Sequence, residues 1–224
     1  MHVLDLLLPP RCGGCRTVGS WLCVRCRAAA RRLQEPLCAR CGVEVDAPRR
    51  DCGCGARLRS LSRLRSAVAY DGPIERAVHR FKYEGWRKLA GPLSQLVAER
   101  LVIEGLSARC VVSVPLHPTR LRQRGFNQAD LLAAELRRRL VVFEPVGELV
   151  RTRPTPPQVG RDRLRRFDNV RGAFEWHGPR LGGESMLLID DVATTGATLD
   201  ACARALREAG SGPVIGVSVA RVNV

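Results

Sequence analysis

Two adjacent carboxylates and a Thr/Gly turn stand side by side in Met186-Leu-Leu-Ile-Asp190-Asp191-Val-Ala193-Thr194-Thr195-Gly196-Ala197-Thr198. Four apolar residues ahead of the acids read as a buried parallel strand, and the residues after Gly196 read as a helix. Carboxylates accept hydrogen bonds from hydroxyls. A turn of backbone N–H groups and threonine hydroxyls at a helix start holds an anion, and the helix dipole adds roughly 0.3–1 kcal/mol. A sugar phosphate offers both partners, so the spacing points to a sugar-phosphate site at the carboxyl edge of an open α/β sheet. Spacing alone also leaves open a Mg2+ site or a capped turn.

The second chemistry-bearing pattern is a block of cysteines. Eight of the ten fall within the first 54 residues, as Cys12-x2-Cys15, Cys23-x2-Cys26, Cys38-x2-Cys41 and Cys52-x-Cys54. A Cys-x2-Cys turn places two thiolates on one tetrahedral metal and two turns complete it, so four pairs fit two Zn2+ sites. Sequential pairing is the simplest, with interleaved pairing left open. A redox dithiol or an iron–sulfur cluster is the competing use of the same residues. Cys23 and Cys26 are expected to open a helix running from Cys23 to Leu33, where the helix N-terminus favours thiolate. A block this short, with few large apolar residues, needs metal to fold. Cys110 and Cys202 read as buried apolar residues instead.

These residues need elements to position them. The 224 residues suit one α/β domain with a small appendage, and we expect a zinc-ribbon-like domain over 1–60 and an α/β domain over 61–224. Strands are expected at Ser66–Tyr70, Cys110–Pro115, Met186–Ile189 and Val214–Val222, and helices at Ile74–Leu89, Leu93–Glu104, Asn127–Leu140 and Ala197–Ala209. Gly85 and Gly91-Pro92 are expected to break the helical run. Arg151–Asn169 holds Pro154, Pro156 and Pro157 and reads as a long, mobile loop. Strands alternating with helices imply a mostly parallel sheet flanked by helices. No apolar run approaches a membrane span of about 18 residues, and no signal peptide is recognised, so a cytoplasmic protein is expected.

The net charge is +15, and of 37 basic residues only Lys82 and Lys88 are lysines. Two zincs on eight thiolates would lower the charge to about +11, which still favours an anionic partner.

Beyond spacing, the sugar-phosphate stretch resembles the 5-phosphoribosyl-1-pyrophosphate (PRPP) motif of type I phosphoribosyltransferases. The chain as a whole resembles the ComF family. Leu8-Pro-Pro-Arg-Cys12-x2-Cys15, Lys82-Tyr-x-Gly85, Val112-x-Val-Pro-Leu-His-Pro118, Arg124-Gly-Phe-Asn-Gln128 and Thr155-x-x-Gln158 carry that resemblance, in order and over nearly the whole length. It implies a type I phosphoribosyltransferase-like α/β fold behind a small N-terminal zinc-binding domain.

By that resemblance Asp190 and Asp191 contact the PRPP ribose, and Ala193, Thr194, Thr195, Gly196, Ala197 and Thr198 cradle its 5′-phosphate. Leu116 and His117 belong to the loop that holds pyrophosphate, although the small or Gly residues often found there are missing. Arg120, Arg122 and Arg124 could add positive charge, and Gln158, Arg161 and Arg163 sit in a loop that closes over PRPP. Arg124 and Gln158 are expected to act beside the acid pair, with Mg2+ accompanying PRPP. Two functions follow: a phosphoribosyltransferase with an unidentified nitrogenous acceptor, or a single-stranded-DNA-handling competence factor that uses PRPP only as a regulatory ligand. The resemblance extends to partners of the competence-helicase type. Arg25, Arg27, Arg31, Arg32, Arg49 and Arg50 favour DNA, whereas an aromatic content of 4% offers no obvious base-stacking platform.

Overall fold

The computed structural model describes residues 9–46, 52–153 and 163–222. After helix α1 (Val24–Ala28) in the cysteine block, the chain enters strand β1 (Arg63–Ala69) and helices α2 (Gly72–Tyr83) and α3 (Ala90–Ile103). Strand β2 (Cys110–Ser113) leads to α4 (Pro118–Arg124) and α5 (Gln128–Arg139). Two short strands, β3 (Glu148–Arg151) and β4 (Phe174–His177), bracket α6 (Arg163–Val170). Strand β5 (Met186–Ala193), helix α7 (Ala197–Glu208) and strand β6 (Val214–Arg221) follow.

Four strands form one parallel sheet in the order β1-β6-β5-β2, and β3 pairs antiparallel with β4. The fold is α/β, a parallel sheet flanked by helices, with a zinc-binding cysteine cluster at its N-terminal side. Apolar runs suit such strands because both sheet faces are covered. Alternation along β5 sends Leu187 and Ile189 to the face covered by α2, α3 and α5, where they join Phe81, Leu96 and Leu132. Met186 and Leu188 face the other way and join Leu199, Leu206 and Phe174 beneath α7 and β4.

The cysteine block shares its apolar residues with this core. Cys12, Leu22 and Cys26 pack with Ala77 and Leu89, while Cys38 and Cys41 pack with Leu58 and Leu64. Polar bonds reinforce both contacts. Arg76 donates to the Gly14 carbonyl at 2.7 Å, and Arg31 pairs with Glu44 at 2.8 Å and Asp71 at 3.1 Å. Arg27 and Arg32 pair with Glu99. These three arginines, expected to favour DNA, therefore bind acids of their own chain. Arg25 is exposed, and Arg49 and Arg50 lie outside the described residues.

Several boundaries differ from expectation. Helix α1 ends at Ala28 instead of Leu33, because the chain then extends beside the sheet and the Arg31 carbonyl accepts the Ala69 N–H at 2.9 Å. Gly91-Pro92 does not break α3: Pro92 lies in its first turn, where a missing N–H leaves no helical bond unmade. Within the expected Arg151–Asn169 loop, Arg163–Val170 is helical, and Phe167 and Val170 pack under α7. Strand β5 runs on through both acids to Ala193. Among the described residues no helix is long and apolar enough to cross a membrane.

Candidate functional site

Cys12, Cys15, Cys23 and Cys26 converge on one point and Cys38, Cys41, Cys52 and Cys54 on another, with the sulfurs of each set within 4.8 Å of one another. Cys15 and Cys23 are 3.6 Å apart, Cys38 and Cys54 3.6 Å, and Cys41 and Cys52 3.3 Å. A tetrahedron with Zn–S bonds near 2.3 Å has sulfur edges of about 3.8 Å, so one Zn2+ fits each set. The pairing is sequential. Cys23 caps α1 as expected, its sulfur accepting the Cys26 N–H at 3.4 Å.

Four thiols this close cannot all ionise unaided. The Thr17 hydroxyl and N–H hold Cys15 at about 6, while burial pushes Cys26 well up. In the second set burial opposes the charge of Cys38, but the N–H groups of Cys41 and Cys52 prevail and hold it at about 6. Burial pushes Cys41 up to about 11. A divalent cation removes the conflict by stabilising every thiolate at once. The N-terminal region thus carries two zinc-binding sites of four cysteines each.

The acid pair lies at the carboxyl edge of the parallel sheet. Because β5 continues through it, Asp190 and Asp191 point to opposite faces of the sheet. Asp191 meets Lys82, from the last turn of α2, with Nζ 2.8 Å from Oδ1 and both side chains largely buried. Burial works against the charge of Lys82, but Asp191 and then Asp190 outweigh it and raise its pKa. Asp190 lies on the α7 face, where Cys202 is fully buried. Burial, then the charge of Asp191, pushes Asp190 up to about 7. Lys82, the Asp191 N–H at 2.8 Å and Arg151 pull the other way. Cys110 is buried as well, so both remaining cysteines are core residues.

Beyond the acids, Ala193 closes β5 and Thr194-Thr195-Gly196 turns into α7. Gly196 has φ +82°, and a Cβ there would lie 2.9 Å from Leu64 Cδ2, so no other residue fits the turn without strain. Thr195 Oγ1 accepts the Ala197 N–H at 3.3 Å, and Thr198 is half-buried in the first turn. Asp200, one turn on, accepts the N–H groups of Ser60 at 2.9 Å and Leu61 at 3.1 Å. That pair of bonds ties the chain leaving the zinc block to the start of α7.

Parallel register brings the β2 loop to the same edge. Ser113 pairs with Ile189, and the Val114 N–H donates to the Ile189 carbonyl at 2.9 Å, so Pro115-Leu116-His117 follows at the level of Asp190. His117 caps α4, its Nδ1 accepting the Thr119 N–H at 3.3 Å. Arg124 donates to Gln128 at 2.6 Å and lies 5.1 Å from the Tyr83 ring centre, beside the residue that follows Lys82. Gln158 and Arg161 lie outside the described residues.

Sequence reasoning gave no role to Lys82 or Arg151. Lys82 stood out as one of two lysines and as the start of the Lys82-Tyr-x-Gly85 stretch, but its partner is far along the chain. Arg151 is buried at the end of β3, over the Phe174 ring; burial, then the charge of Arg120, lowers its pKa, and it also acts on Asp190. Arg120 and Arg151 therefore set positive charge beside the acid edge.

A double zinc ribbon ahead of a parallel α/β sheet with an acid pair and a glycine turn at its carboxyl edge defines the class. The double zinc ribbon domain family matches residues 3–56. The chain is 33% identical to DNA utilization protein YhgH of Escherichia coli (strain K12), over 93% of this chain and 96% of that one. It is 30% identical to Competence protein F of Haemophilus influenzae, over 89% and 92% of the two chains. It is 29% identical to Competence protein ComFC of Bacillus subtilis (strain 168), over 84% and 79%. The chain belongs to the ComF family.

Proposed function

We propose that the chain binds PRPP, accompanied by Mg2+, at the carboxyl edge of β5 and transfers its phosphoribosyl group to a nitrogenous acceptor. The observation that carries this reading is the junction of Asp190, Asp191 and Lys82 with the Gly196 turn into α7. Asp190 and Asp191 would accept hydrogen bonds from the ribose hydroxyls. The N–H groups and hydroxyls from Ala193 to Thr198 would hold the 5′-phosphate. In transfer, the bond from ribose C1 to pyrophosphate would break as the acceptor nitrogen bonds to C1 and gives up its proton to water. Pyrophosphate leaves with the bonding electrons, and a bound Mg2+ would neutralise part of its charge. The chain's own contribution would be electrostatic: the positive charge of Arg120 and Arg151 beside Asp190 would favour the developing anion, and no side-chain nucleophile is needed.

Calorimetric titration of PRPP with Mg2+ tests binding, and release of pyrophosphate tests turnover. Asp190→Asn/Asp191→Asn should abolish both. Intact binding without turnover, whatever nitrogen base is supplied, would rule out the transferase.

The names of the relatives, DNA utilization and competence, support a role linked to DNA uptake. A groove beside the first turns of α7 supports a second reading, a DNA-handling factor that senses PRPP. Arg57, Arg59, Arg171 and Arg204 line it together with Phe167, outnumbering Asp168 and Asp200, the latter already held by the Ser60 and Leu61 N–H groups. Its cations would meet phosphates and its one aromatic ring a base. Binding of an oligodeoxythymidylate that is unchanged from about 50 to about 300 mM salt would refute this mechanism.

A further inference from the structure

A cavity of about 330 Å3 separates the second zinc set from the turn into α7. Cys41, Cys52 and Cys54 line one wall, and Thr194 and Thr195 line the other. Between them stands Arg221, the last residue of β6, held beside Ala193 by the parallel register. Arg221 is only 5% exposed. Its Nη1 donates to the Cys41 carbonyl at 2.9 Å, while its buried Nε has no hydrogen-bond partner among the described residues. A buried guanidinium N–H without a partner is costly unless a ligand accepts it. Arg57, exposed at the mouth, adds a second cation.

The charges fit an anion. Four thiolates on Zn2+ carry a net charge of about −2, which would repel phosphate from the turn opposite. Arg221 lies against the thiolate side and offsets that charge. Glu44 also lines the cavity, but Arg31 holds it at 2.8 Å. The donors left to face a ligand are the guanidinium of Arg221, that of Arg57, and the Thr194-Thr195 turn at the positive end of a twelve-residue helix.

We propose that this cavity is the phosphate end of the ligand site, with Arg57 and Arg221 as its cationic donors, and that the second zinc centre forms its wall while the first serves the fold alone. The inference rests on the phosphoribosyl reading and deepens it. The first set packs instead against α2 and Leu89, away from the turn. Zinc at the second site keeps the Cys41 carbonyl where Arg221 needs it. Losing that zinc should cost phosphate affinity, and losing the other should not.

The test is calorimetric titration of the zinc-loaded full chain with ribose 5-phosphate and with inorganic phosphate. Metal content is measured by mass spectrometry, and thermal unfolding runs alongside. Arg57→Ala should weaken ribose 5-phosphate about tenfold at unchanged melting temperature, and Arg221→Met should do the same or more. Cys52→Ser/Cys54→Ser should lose one zinc and the binding. Cys15→Ser/Cys23→Ser should lose one zinc and bind within about twofold of wild type. Should a cysteine pair fail to fold, Arg57→Ala decides, since its side chain is exposed. Ribose 5-phosphate binding that is equal in wild type, Arg57→Ala and Arg221→Met would overturn the proposal and leave the phosphoribosyl reading standing. Wild type that ignores ribose 5-phosphate but binds inorganic phosphate through Arg57 would keep the cavity assignment and remove that reading. Binding of neither would remove both.

Discussion

Asp190 and Asp191 are covalent neighbours with opposite surroundings, and their chemistry divides accordingly. Asp191 has a buried ammonium against it, so Lys82→Met leaves an uncompensated carboxylate in a closed site. That change should cost about 3–5 kcal/mol in urea unfolding at neutral pH. A cost below about 1 kcal/mol would mean that water reaches Asp191 and replaces the lysine. Asp190 behaves in the reverse sense. Its folded pKa of about 7 lies above the ordinary carboxylate value of 3.8, so it holds a proton in the fold that it loses in the unfolded chain. Its contribution therefore weakens the fold as pH rises from about 4 through 7, and is constant beyond. Asp190→Asn removes that penalty and should raise stability by about 1–3 kcal/mol near pH 8 while changing nothing near pH 3.5. A thermal scan at both pH values checks the sign. The same titration should weaken PRPP binding as pH falls through about 7, because a protonated Asp190 accepts fewer hydrogen bonds.

At the scale of elements, the site is a strand end, a turn and a helix start, and much of it was legible. The apolar run Met186–Ile189 could only be a buried strand, and Gly196 marked the turn because of the φ it alone tolerates. Gly196→Ala should therefore destabilise the chain by about 1–3 kcal/mol and also disturb the turn, measured as lower stability together with weaker phosphate binding. Normal stability with lost binding would place its role in the ligand contact alone. The cysteine spacing announced two metal sites, although only the fold chose between sequential and interleaved pairing. Helix α6 was not legible, because Pro154, Pro156 and Pro157 precede it and its apolar residues are too few to set a period. The extent of β5 mattered most. Ending the strand at Ile189 leaves both acids in one loop. Continuing it to Ala193 gives Asp191 Lys82 as a partner and sets Asp190 on the Cys202 face, so the two would reach a ligand at the strand end from opposite faces. Lys82 and Arg151 reach the site from separate elements, which no local pattern records.

For the molecule as a whole, the question is what a net charge of +15 is for. Part of it is structural. Arg27, Arg31 and Arg32 dock the zinc block onto acids of the α/β fold, and Arg65 pairs with Glu104 in the interior at 2.5 Å. Because the zinc block contributes to both halves of the core, chelating both ions should lower the melting temperature of the entire chain. A separate early transition would mean the block unfolds alone. Another part of the charge faces solvent along the groove beside α7. Arg59 and Arg171 are exposed there, and Arg204 lies 3.9 Å from Glu208 and within electrostatic reach of Asp200. Each phosphate neutralised by a cation on single-stranded DNA contributes about 0.7 to the slope of log affinity against log salt. Arg59→Ala/Arg171→Ala/Arg204→Ala should therefore reduce that slope by about 2 for an oligodeoxythymidylate. Ribose 5-phosphate binding should stay unchanged, since none of the three lines the cavity at the zinc wall. An unchanged slope would assign these arginines to the solvated surface and move any DNA contact elsewhere. A joint loss of both ligands would instead mean that groove and cavity act as one site, joined through Arg57 and Phe167, which line both.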